Sequence, residues 1–78
     1  MDDIIQALLT GKLIEVNLTI NKTPATLHGV VRNGYLHGCL MTDQVPTPYR
    51  NLGVSENQVA EWITKAFENT NPELISTL

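Results

Sequence analysis

The sequence predicts an α+β domain: a three-stranded antiparallel β-meander with one face covered by a C-terminal helix, plus short N-terminal and C-terminal helices. Two stretches carry that expectation. Asn33-Gly34 separates two runs that repeat Leu-His-Gly, Leu27-His28-Gly29 and Leu36-His37-Gly38. Asn-Gly between apolar runs favours a type I′ turn, which needs positive φ at both central residues. Further on, Val59, Trp62, Ile63, Ala66 and Phe67 fall at i, i+3, i+4, i+7 and i+8, the apolar stripe of a helix packed on one side.

A two-residue loop at Asn33-Gly34 sets the strand register. Arg32 pairs with Tyr35, Val31 with Leu36, Val30 with His37, Gly29 with Gly38, His28 with Cys39 and Leu27 with Leu40. Alternation puts Leu27, Gly29, Val31, Leu36, Gly38 and Leu40 on the face expected inside. His28, Val30, Arg32, Tyr35, His37 and Cys39 share the other. Gly29 opposite Gly38 leaves a bare patch on the inner face, and glycine within a strand marks a close approach. Trp62 is the expected filler, so Trp62→Ala is the substitution expected to destabilise most. A bulge at either glycine is the alternative, and it would flip part of the register.

The other elements follow in chain order. Asp2 or Asp3 caps a short helix bearing Ile4, Ile5, Leu8 and Leu9, with Gly11 as its stop. Lys12 to Ile20 reads as a strand, since Ile14, Val16, Leu18 and Ile20 alternate with Glu15, Asn17 and Thr19. Asn21-Lys22-Thr23-Pro24 supplies a turn. From Asp43 to Val54 the periodicity stops, and Pro46 and Pro48 favour an extended path. That stretch reads as a loop strapping the last strand to the helix across the end of the sheet. Ser55 with Gln58 makes a capping box, and Val54 with Val59 a hydrophobic staple. Asn69-Thr70-Asn71-Pro72 ends the helix, leaving a last helical turn through Leu74, Ile75 and Leu78.

Length and composition bound the function. Residues 1–78 make one domain, and 42% apolar with 17% charged residues is a globular composition rather than a disordered one. A net charge of −3 argues against phosphate-driven binding to nucleic acid. Cys39 is the only cysteine, so no internal disulfide is expected. With an acidic Met1-Asp2-Asp3 start and no apolar run of membrane-spanning length, the expectation is a cytoplasmic protein without membrane association.

Candidate chemistry is sparse. His28, His37 and Cys39 on one hairpin face are zinc-binding residue types, and Asp43 is the acid nearest to them in the chain. The alternative is a half-exposed face of ordinary polar residues, and on that reading neither metal nor cofactor is expected. A Cys39 nucleophile would need His28 and an acidic group beside it in a pocket. No phosphate-binding loop or paired carboxylates appear, so no enzyme is expected.

Leu52 to Ile63 resembles the turn and second helix of the helix-turn-helix DNA-binding motif, with Gly53 as turn glycine and Val59 and Trp62 as apolar helix residues. That resemblance implies a small nucleic-acid-binding transcriptional regulator, the alternative function. Against it, Pro46 and Pro48 stand where the first helix would run, and Glu56, Glu61 and Glu68 face Lys65 alone. The α-β-β-β-α order also resembles the double-stranded-RNA-binding domain, without that family's lysine-rich helix start. In organisation the chain resembles small phage-encoded inhibitors of the anti-CRISPR type, with an opening helix, three antiparallel strands and closing helices, here Trp62-Ile63-Thr64-Lys65-Ala66-Phe67-Glu68. This implies a non-enzymatic protein-binding module from a phage or mobile element that blocks a host protein.

Two surfaces are candidates for the contact. One is the proline loop with Asp43, Thr47, Tyr49 and Arg50; the other is the outer hairpin face with His28, Arg32, Tyr35 and His37. Tyrosine and arginine are residue types that dominate interface energies. The strand at Lys12–Ile20 offers an edge for a homodimer or for a partner's sheet.

Overall fold

Both turns between the first three strands are built from residues held at positive φ. Asn33 and Gly34 sit at 52° and 81°, and Asn21 and Lys22 at 50° and 68°, as a tight hairpin turn of this hand requires. They join β1 (Ile14–Ile20), β2 (Thr23–Arg32) and β3 (Tyr35–Thr42) as antiparallel neighbours. The computed structural model describes residues 1–42 and 48–78. The β2–β3 ladder has the register that Asn33-Gly34 predicts, from Arg32↔Tyr35 through Gly29↔Gly38 to Leu27↔Leu40, and it runs without a bulge at either glycine.

The sheet is wider than expected. β4 (Arg50–Ser55) adds to β3 and β5 (Glu73–Thr77) adds to β1, giving five antiparallel strands in the order β4-β3-β2-β1-β5. The expected strap is therefore partly a strand, and the expected last helical turn is a strand too. Leu52 and Val54 do alternate, but Gly53 at φ 74° and the nearby prolines disguise the period. In β5 only Leu74 and Thr77 pair with inward residues of β1, Val16 and Ile14, so no apolar alternation marks it. The strand at 12–20 is consequently interior, and its edge is taken by β5 rather than left for a second copy. Each outer ladder also carries a register shift, between Glu15 and Val16 in one and between Leu36 and His37 in the other, and such irregularity blunts edge-to-edge pairing.

Helices α1 (Asp2–Leu9) and α2 (Val59–Ala66) lie together on one side of this sheet, α2 entered through a single 3-10 turn at Glu56–Gln58. Their apolar stripes meet the inner sheet residues, and Ile4, Leu8, Ile14, Val16, Leu36, Val59 and Ile63 are fully buried there. Ser55 starts the turn as a capping box with Gln58, its N–H donating to Gln58 Oε1 at 3.3 Å. Trp62 is only half-buried at the margin of this core. It does not explain the paired glycines. A Cβ on Gly38 would run into the carbonyl oxygen of His28, whereas one on Gly29 would meet nothing nearer than 3.7 Å. The close approach is thus made by the backbone of β2, not by the indole.

Candidate functional site

The face turned away from the helices is organised in cross-strand rows. The ladders place Arg32, Tyr35 and Ser55 in the first row, and Val30 and His37 with Asn51 in the second. Ser76, Glu15, His28 and Cys39 form the third, and Glu73, Asn17, Thr26 and Met41 the fourth. Tyr35 is 45% exposed and Arg32 is exposed, while His28, His37, Cys39 and Met41 are half-buried. Val30 is buried yet stands outside the main core cluster.

Local contacts hold several of these side chains in place. His37 Nδ1 lies 3.0 Å from the Tyr35 carbonyl oxygen. His28 Nε2 lies 3.9 Å from Glu15 Oε1, too far for a hydrogen bond but close enough for attraction when the imidazole is protonated. Thr26 donates its hydroxyl to Asn17 Oδ1 at 3.2 Å. Carboxylate, imidazole and thiol follow one another across β1, β2 and β3, but on an open surface, and no hydrogen bond joins Cys39 to His28. Among the described residues, no three His, Cys, Asp or Glu side chains come close enough to hold a metal ion.

Four of the residues expected to touch a partner, His28, Arg32, Tyr35 and His37, are thus gathered on one surface. The other expected surface divides. Tyr49 is 47% exposed just before β4. Arg50 pairs with Gly38, an inward position, and lines an apolar groove beneath α2 instead. Asp43 and Thr47 lie outside the described residues. Ser55, Asn51 and Ser76 join the open face only because β4 and β5 extend the sheet, and no short-range pattern announces them.

No family model, curated protein or solved structure matches this chain. Two of the resemblances noted above rest on an order of elements that is not the one found, because a fourth strand precedes α2 and the chain closes on β5. The helix-turn-helix likeness does not extend to its turn, because Leu52 and Gly53 belong to β4. Among the described residues no helix is long and apolar enough to cross a membrane.

Proposed function

We propose that this chain is a non-enzymatic binding module that acts by occupying the surface of a partner protein in the cytoplasm, through the open face of its sheet. One observation carries the reading. Both helices pack on the same side, so Arg32, Tyr35, His28 and His37 stand uncovered on a platform of hydrogen-bonded strands. The backbone of paired strands is already ordered, so docking immobilises side chains but no loop, which lowers the ordering cost of association. Tyr35 and Arg32 supply residue types that anchor interfaces, and the half-buried Met41 and Cys39 supply apolar area between the polar groups. Blocking a host protein, as an inhibitor carried by a phage or mobile element does, needs such a surface and no chemistry of its own.

Capture from a host lysate tests this. Wild type and a Glu61→Ala variant, altered on the helix side, retain the same partner, while Tyr35→Ala/His37→Ala loses it with its melting temperature preserved. A double variant that keeps the partner overturns the reading. So does nucleic-acid binding in a gel shift that persists as salt is raised, because contacts to phosphates weaken steeply with ionic strength.

A further inference from the structure

The inner side of the sheet is not filled everywhere. Between α2 and the sheet, reaching from β1 across to β4, lies a cavity of about 280 Å3, just below the range of ~300–1,000 Å3 usual for small-molecule sites. Its walls include Leu27, Leu52, Trp62 and Phe67, with Gly38 on the sheet side and Ala66 on the helix side. The space has a structural cause. A side chain on Gly38 would meet the β2 backbone, and Ala66 on the helix side is short. Trp62, half-buried, borders the gap without closing it.

Among the described lining residues, one side chain is charged. Arg50 is exposed, and it takes no part in the ion pairs of the described residues, Met1–Asp3, His28–Glu15 and Lys65–Glu61. An apolar slot bordered by a guanidinium with no ion pair among the described residues complements one kind of ligand, an apolar chain ending in a carboxylate. The guanidinium fork matches a carboxylate with two parallel hydrogen bonds, while the chain displaces water from leucine and aromatic walls. We propose that this groove binds a medium-chain carboxylate amphiphile, its tail between α2 and the sheet and its carboxylate on Arg50. This site lies on the opposite side of the sheet from the protein-binding face and does not depend on it.

Trp62 is the only tryptophan, so its emission reports on the groove directly. Decanoate, added below its micelle concentration, moves the emission to shorter wavelength along a saturable curve. Decanol binds about ten-fold more weakly, the factor that corresponds to about 1.4 kcal/mol; decyltrimethylammonium binds weaker still. Arg50→Gln, at an exposed position, abolishes the preference for decanoate over decanol and leaves decanol affinity unchanged. Ala66→Phe, checked for a native circular dichroism spectrum, removes both. The proposal is overturned if the three amphiphiles bind equally, if Arg50→Gln keeps the preference, or if Trp62 emission shows no saturable change.

Discussion

The two faces of this sheet are made from alternate residues of the same strands, and they do different work. Inward, Ile14, Val16 and Leu36 are at most 1% exposed and meet two helices. Outward, their immediate neighbours Glu15, Asn17, Tyr35 and His37 remain partly or largely accessible. A period of two therefore assigns the core and the proposed binding face to adjacent positions. A slip of one residue at either hairpin would exchange the two sets completely. The positive-φ residues at Asn21-Lys22 and Asn33-Gly34 accordingly guard the proposed binding face as much as the core.

The largest effect expected from a single truncation falls on the inner face, beneath α2. Ile63 is 0% exposed, so Ile63→Ala lowers stability by roughly 2–5 kcal/mol, read as a fall in the urea midpoint. That is a large part of the ~4–12 kcal/mol expected for a chain of this length. Trp62→Ala removes more atoms but from a half-buried position, and its midpoint falls less. The reverse ranking would mean that the indole, not the isoleucine, holds the helix to the sheet.

The paired glycines sharpen the comparison between strands. Gly38→Ala forces a Cβ against the His28 carbonyl and costs about 1–3 kcal/mol. Gly29→Ala places its Cβ at ordinary contact distances of 3.7–3.8 Å and stays within about 0.5 kcal/mol of the parent. Equal midpoints for the two would remove the backbone contact as the reason for glycine at position 38. The smallest effect belongs to the outer face. Glu15→Gln abolishes a 3.9 Å pair between partly exposed groups and changes stability by less than about 0.5 kcal/mol.

What could be read from the residues depended on how local the cause was. The β2–β3 register follows from two turn residues, and the cap of the second helix from Ser55 and Gln58, so both were legible. β4 was hidden because Gly53 interrupts its alternation and two prolines shortly precede it, and β5 because it is short and pairs only through contacts distant in sequence. Trp62 is the larger side chain, but burial decides energy and its neighbour Ile63 is the residue fully enclosed. The hairpin half of the candidate surface was likewise visible, since alternation alone sorts His28, Arg32, Tyr35 and His37 together. Arg50 lies on the inner side in step with Leu52 and Val54, but a two-residue register shift between Leu36 and His37 sets it opposite Gly38 rather than Leu40. No sequence pattern encodes that shift.

Aspartate placed at two consecutive positions of β3 interrogates the division of faces most directly. Leu36 is 1% exposed among the helices, and His37 is half-buried on the open side. The two-faced sheet predicts that Leu36→Asp leaves no cooperative urea transition at room temperature, because a carboxylate would stand unpaired in the core. His37→Asp keeps a native spectrum and a midpoint within about 1 kcal/mol of the parent. Comparable losses from both substitutions, or a greater loss from His37→Asp, would contradict it.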